Sequence, residues 1–361
     1  MTTVQQPSEQ PPEKRRVVFV VGSGRSGTST MAGALRTLGM HVPQPEVAAD
    51  DTNPKGFGEP QWVVDFHAEL LKRCNVQVSD ARPSAWFEAG KLAGFEPSRE
   101  RLHTWLEEQL TTGGPEVVVK DPRLAWFIGL WRSAAVRCEA APAYVTMLRP
   151  PAEVVGSKQK YYAGPAAGGD LRAGEVQRTA AWVNMMLHTE RATRGETRTF
   201  VRYADLLDDW TIPLFDIGRR FDLTSLQEAN ANHVRAVHAF IDPTLRRVTA
   251  TLDDLDLPPR LRELAQETWE RLDGLADPEG DTPAVHRQLD DLRAAYTDLY
   301  AEAEAIAHST TLAARREGLA TLPEPANAVV KRGADRVPHQ VRAMIPPGAR
   351  AAVRRAIGRA R

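Results

Sequence analysis

The stretch Val17-Val18-Phe19-Val20-Val21-Gly22-Ser23-Gly24-Arg25-Ser26-Gly27-Thr28-Ser29-Thr30 constrains the fold more than any other part of the chain. Its continuous β-branched and aromatic run reads as a short strand buried on both faces, the pattern of a central strand in a parallel sheet. The glycine-punctuated loop lets backbone N–H groups converge, and the helix that follows aims its positive end at the same point. That combination binds phosphate. The loop approaches the nucleotide pattern G-x-x-x-x-G-K-[ST], but only in part. Gly22, Gly27 and Ser29 fit, whereas Thr28 stands where the phosphate-reading lysine belongs. A loop without that lysine is poorly suited to a β,γ-phosphate with magnesium. Its one cation, Arg25, lies nearer the tip.

The rest of the chain repeats the strand–helix alternation. Met31, Leu35 and Leu38 form an apolar stripe on the helix after the loop, and Gly39 closes it as a C′ residue. A long irregular segment, His41 to Pro60, is rich in Pro, Asp and Gly, and a loop of that length inside a domain tends to be functional. Pro60 suits the start of a helix with Trp62, Val63, Phe66 and Leu70 on one face, and a second helix carries Leu102, Trp105, Leu106 and Leu110. Strands follow at Glu116–Lys120, Ala143–Leu148 and Arg198–Tyr203, with helices over Leu124–Trp131, from Glu153 onward, and over Val176–Arg194. The alternation predicts an α/β fold: a P-loop-like, doubly wound parallel sheet in three α/β/α layers, with a mainly helical C-terminal extension. Ligands of such sheets sit at the carboxyl ends of the strands. There the polar residues collect: the Gly22–Thr30 loop, Lys120, Arg149 and Tyr203.

Composition sets the class. A formal charge of −1 over 361 residues gives no pull toward nucleic acid, and 42% hydrophobic with 26% charged residues is ordinary for a soluble chain. Cys74 and Cys138 match no metal spacing and read as reduced thiols. No apolar run is long enough to span a bilayer, and the N-terminus lacks an apolar signal region, so a cytoplasmic location is expected. The expected organisation is a disordered tail over 1–16, an α/β core over 17–224, a helical part of the same domain over 225–325, and a basic tail over 326–361.

Four motifs in order resemble the 3′-phosphoadenylyl-sulfate (PAPS)-dependent sulfotransferases, bacterial family members above all. Gly24-Arg25-Ser26-Gly27-Thr28-Ser29 resembles the family's 5′-phosphosulfate loop, in which a basic residue precedes Ser-Gly-Thr. Leu148-Arg149-Pro150-Pro151 with Ser157 resembles its 3′-phosphate motif. Lys120-Asp121-Pro122 is similar to the lysine-x-proline motif of carbohydrate sulfotransferases, and Tyr203-Ala204-Asp205-Leu206-Leu207 to a tyrosine-x-aspartate-leucine motif, with Ala204 in place of the commoner acid. The matches cover about the first two-thirds of the chain. The resemblance implies PAPS as sulfuryl donor, adenosine 3′,5′-bisphosphate as product, no metal, and a small-molecule or glycan acceptor. It makes Gly24, Arg25, Ser26, Gly27, Thr28, Ser29, Arg149, Ser157 and Tyr203 the donor-binding residues.

Sulfuryl transfer needs in-line positioning and cations on the bridging oxygen that gathers charge, which Arg25 and Lys120 can supply. It also needs a base for the acceptor hydroxyl. Carbohydrate-type members use a glutamate shortly after the first helix, and Glu59 occupies the corresponding place. A carboxylate at a helix N-terminus is stabilised as the anion, which works against it as a base. His41 and His67 are the other candidates, though His67 lies between Val63 and Leu70 and reads as a core-edge histidine. Trp62, Trp126, Trp131 and Trp182 read as core. Arg246 and Arg247 offer two more cations for the nucleotide. The family's glycine-rich C-terminal nucleotide motif is not recognisable.

Two other classes stay open: a P-loop small-molecule kinase, against which Thr28 speaks, and a catalytically silent nucleotide-binding protein. The tail carries Lys331, Arg332, Arg336, Arg342, Arg350, Arg354, Arg355, Arg359 and Arg361 against Asp335 alone. A short basic amphipathic helix there would give weak, salt-sensitive contact with an anionic membrane surface or acidic partner. A solvated tail is the alternative.

Overall fold

Four parallel strands in the order β2-β1-β3-β4 form the sheet, and β1 (Arg16–Val21) lies inside it. The computed structural model describes residues 14–50, 53–162, 170–246 and 248–320. Residues 1–13 and 326–361 of the two expected tails, and residues 51–52, 163–169, 247 and 321–325, lie outside the described residues. The chain divides into two compact units, Met1–Tyr300 and Ala301–Arg361.

After β1 and its loop come α1 (Thr28–Thr37), α2 (Gln61–Cys74), α3 (Ser84–Gly90) and α4 (Glu96–Thr112), which lead to β2 (Glu116–Lys120). α5 (Ile128–Arg137) then precedes β3 (Ala141–Leu148), and α6 (Pro151–Tyr162) and α7 (Leu171–Ala192) precede β4 (Thr197–Arg202). The helices α8 (Tyr203–Asp208), α9 (Thr211–Arg220), α10 (Thr224–Gln227), α11 (Ala231–Phe240), α12 (Pro259–Gly274) and α13 (Pro283–Ile306) follow. In the second unit the structure describes α14 (His308–Ala320).

Residues alternate across a strand, so the unbroken apolar run of β1 feeds two layers at once. Val17, Phe19 and Val21 pack with Phe66 and Leu70 of α2, Leu106 of α4 and Trp131 of α5. Val18 and Val20 pack on the other side with Met31 and Leu35 of α1 and Leu214 and Ile217 of α9. A third cluster joins α6 and α7 to Leu264 and Leu272 of α12 and Leu289 and Tyr296 of α13, which makes the C-terminal helices part of the first unit's core. The fold is α/β with a parallel sheet flanked by helices and a helical C-terminal extension.

Local details differ from the sequence reading. β1 opens at Arg16, which pairs with Glu116 and Ala141, one residue inside the stretch expected to be tail. β4 ends at Arg202, so Tyr203 begins α8. The run expected as one helix over Leu124–Trp131 is split into a 3-10 turn, Pro122–Trp126, and α5. Asp121 accepts the Arg123 amide at 2.7 Å, which tightens the first turn, and Phe127 leaves the helical region at φ −120. Gly39 ends α1 as expected, with its N–H on Arg36 O and that of Met40 on Leu35 O.

Candidate active site

Pairing puts the strand ends in one row. Val20 lies opposite both Lys120 and Val145, and Leu148 opposite Arg202, so the segments after all four strands leave the same sheet edge. The chain runs from β1 to β2 on one side and from β2 to β3 on the other side of β1, so the strand order reverses there, at the switch point where open α/β sheets bind ligands. A cavity of about 450 Å³ occupies this edge. Among the expected site residues, Gly24, Arg25, Gly27, Thr28, Ser29, Glu59, Lys120, Arg149, Ser157 and Tyr203 all line it. Ser26 does not; it is fully buried in the loop, and its hydroxyl has no hydrogen-bond partner among the described residues.

The loop's shape requires glycine at two points. At Gly22, with φ +128, a Cβ would stand 2.8 Å from Met147 O. At Gly27, with φ +89, it would stand 2.1 Å from the Tyr203 ring. Arg25 adopts φ 75 at the tip, a backbone state costly for a residue with a Cβ. No side chain caps the start of α1 and no acid lies in its first turn, so its leading N–H groups remain available to an anion.

The charged residues form two linked groups. In one, Lys120 Nζ donates to Glu59 Oε1 at 2.5 Å and to Ser29 Oγ at 3.1 Å, and Asn53 Nδ2 donates to the same hydroxyl at 3.1 Å. Lys120 and Glu59 are both buried. In the other, Arg25 Nε donates to Ser157 Oγ at 3.1 Å, and Arg149 Nη1 donates to Arg25 O at 2.9 Å. Arg149 also donates to Glu153 and to Val248 O, and its guanidinium lies 5.3 Å from the Tyr203 ring centroid. Arg246 meets the same Glu153, at 2.6 Å, so this buried carboxylate holds two arginines. Among the described residues, five cationic side chains line the cavity (Arg25, Lys120, Arg123, Arg149 and Lys158), against one lining carboxylate, Glu59.

Neither histidine candidate reaches the cavity. His41 forms a parallel bridge to Val117 beside β2, and its ring meets Gln109. His67 is fully buried: the Trp131 indole N–H donates to its Nε2 at 2.7 Å, and Nδ1 lies 3.3 Å from Asp121. Burial opposes charge on Asp121, yet His67 and Arg123 hold its carboxyl below the usual range. Trp126, Trp131 and Trp182 are buried in the core, and Trp62 is partly buried beside them. None of the four lines the cavity.

Two residues had no assigned role in the sequence. Glu153, in the first turn of α6, stands four residues after Arg149, close enough to reach back to the arginine that follows β3. Lys158 follows Ser157 directly, and its partners come from distant segments: Ser23 Oγ at 3.3 Å and Ser79 Oγ at 3.0 Å. Burial pushes its amine down to about 8, with Arg178 adding repulsion. Elsewhere, Cys74 and Cys138 are free thiols. The one candidate metal cluster among the described residues, His103, Glu107 and Cys138, already has Arg15 paired with Glu107.

No protein-family model and no curated protein matches this chain. Among solved structures, it is similar to the sulfotransferase STF1 from Mycobacterium tuberculosis, at 15% identity, covering 71% of this chain and 77% of that one, with a TM-score of 0.40. It is also similar to the sulfotransferase domain of the Synechococcus olefin synthase, at 16% identity, 71% and 96% coverage and a TM-score of 0.40. A third likeness is to the sulfotransferase domain from the curacin biosynthetic pathway, at 14% identity, 72% and 98% coverage and a TM-score of 0.41. Likeness at this level concerns broad layout and does not by itself assign an activity.

Proposed function

We propose that the chain is a sulfotransferase that moves a sulfuryl group from PAPS to an acceptor hydroxyl. One observation carries the reading. Residues from four separate strand ends line one strongly cationic cavity whose loop has an arginine at its tip and no phosphate-reading lysine. The free N–H groups of α1, the Gly27 cradle under Tyr203 and Arg25 suit a 5′-phosphosulfate. Arg149 and Ser157 suit the 3′-phosphate, with Glu153 fixing the arginine's direction. Lys120 and Glu59 sit together where transfer would occur. The Glu59 carboxylate takes the acceptor proton while the acceptor oxygen bonds to sulfur. The sulfur–oxygen bond to the phosphate breaks, and the bridging oxygen leaves with the electron pair, its charge met by Lys120 and Arg25. Before ligand arrives, Glu59 neutralises Lys120; the donor's negative charge draws the ammonium away and frees the carboxylate.

Two observations weigh against the kinase reading. Thr28 replaces the lysine, and the acid at the end of β2, Asp121, is fully buried against His67 and Arg123 instead of facing the cavity. A catalytically silent binder would hold the same nucleotide and be indifferent to Glu59. A thermal-shift series with adenosine 3′,5′-bisphosphate, adenosine 5′-monophosphate and Mg-ATP separates these. At about 100 times its dissociation constant a ligand stabilises by ~2.7 kcal/mol, so the bisphosphate should give the clear shift. A response to Mg-ATP alone would favour the kinase.

A further inference from the structure

The donor-site residues do not account for Lys158. Its ammonium meets only two hydroxyls, Ser23 and Ser79, and no carboxylate pairs with it among the described residues. A half-buried cation in that setting is short of a counter-charge. The wall that supplies Ser79 is also built with unusual care. Five successive carbonyls of the α2–α3 connection each accept a side-chain donor. Trp126 Nε1 holds Val78 O, Gln177 Nε2 holds Ser79 O, and Asn184 Nδ2 holds both Asp80 O and Arg82 O. Tyr296 Oη donates to Ala81 O. Asp80 locks the turn from inside, accepting from the Gln77 and Arg82 amides. These donors come from the 3-10 turn, α7 and α13, so the wall is fixed before ligand arrives.

Val78 and Met185 line the cavity on the same segment and on the α7 that braces it, so an apolar surface accompanies the cation. The Arg149 group already answers the anions expected of the donor. We propose that Lys158 and Ser79, with the buried Ser23 hydroxyl holding the ammonium from behind, form a second anion subsite, which reads a carboxylate, sulfate or phosphate carried by the acceptor next to an apolar body. This rests on the sulfuryl-transfer reading, because it assigns the donor's charges elsewhere.

The test is calorimetric titration of sodium sulfate, at constant ionic strength, into full-length protein saturated with adenosine 3′,5′-bisphosphate. Wild type should bind sulfate, Lys158→Met should weaken that binding about tenfold or more, and Lys158→Arg should restore it. Lys120→Met should retain it, which separates this subsite from the transfer point. Lys158→Met should leave bisphosphate affinity nearly unchanged. A loss of about tenfold there would place the anion on the donor and overturn the proposal. Wild type that binds the bisphosphate but not sulfate, or a Lys158→Met variant that binds sulfate as wild type does, overturns the subsite alone. Wild type that ignores the bisphosphate overturns the functional reading and this one with it.

Discussion

Replacing Glu59 with glutamine leaves Lys120 buried beside a neutral amide. Lys120 is 2% exposed and Glu59 7% exposed, so the surviving charge has little access to water. Breaking a buried pair by removing one partner costs about 3–5 kcal/mol; the open cavity beside this pair places the expected loss near the lower figure, about 3 kcal/mol. For a unit of this size that corresponds to a fall in Tm of roughly 6 °C. Replacing both residues, Glu59→Gln with Lys120→Met, removes the stranded charge and should recover most of the loss. Stability is read from urea melts of the four proteins in the double-mutant cycle. The same glutamine variant separates binding from chemistry. It should bind adenosine 3′,5′-bisphosphate at least as tightly as wild type, because a carboxylate no longer faces the ligand. Its kcat should drop about 10²–10⁴-fold. A double variant destabilised by the sum of its single losses refutes the pairing argument, and full turnover by Glu59→Gln refutes the base.

Gly27→Ala puts a methyl into the Tyr203 ring at φ +89 and should cost about 2–4 kcal/mol in denaturant melts, from left-handed backbone and overpacking together; a neutral outcome would mean the cradle is looser than the structure shows. Lys158 has a lowered amine, so the folded chain gives up that proton before the unfolded chain does. Below about pH 8 both states carry the charge and the folded one bears its cost; stability then rises with pH from about 8 toward the ordinary lysine value. Lys158→Met should therefore stabilise ligand-free protein at pH 7, with the gain fading from about pH 8 and gone above about pH 10.4 in melts across that range. Burial pushes the Cys138 thiol up to about 12. Ellman's reagent at pH 8 should leave Cys138 untouched until the chain unfolds.

Much of the site was legible because strand ends announce themselves. An unbroken apolar run stops at Gly22, and Glu116–Lys120 has the same bounds in the structure as in the sequence. Ten of the expected residues then meet in one cavity because parallel strands must all end on the same edge. What stayed hidden depends on contacts between distant segments. Nothing in the sequence sets Lys158 apart from Lys160 on the same helix, and only folding brings Ser79 to it from 79 positions away. The braced 78–82 wall has no local signature either, since its donors belong to Trp126, Gln177, Asn184 and Tyr296. The broken helix after Asp121 was misread for a local reason. A carboxylate that caps the Arg123 amide competes with the α-helical pattern that the apolar spacing suggests. Glu153 was legible in principle, at four residues from Arg149.

The central claim is that this cavity holds a nucleotide with phosphate at both the 5′ and 3′ positions. Its most direct test is the ratio of calorimetric dissociation constants for adenosine 5′-monophosphate and adenosine 3′,5′-bisphosphate on the wild-type chain. If Arg149 and Ser157 receive the 3′-phosphate, the bisphosphate should bind about tenfold tighter or more. Equal affinities would contradict the account.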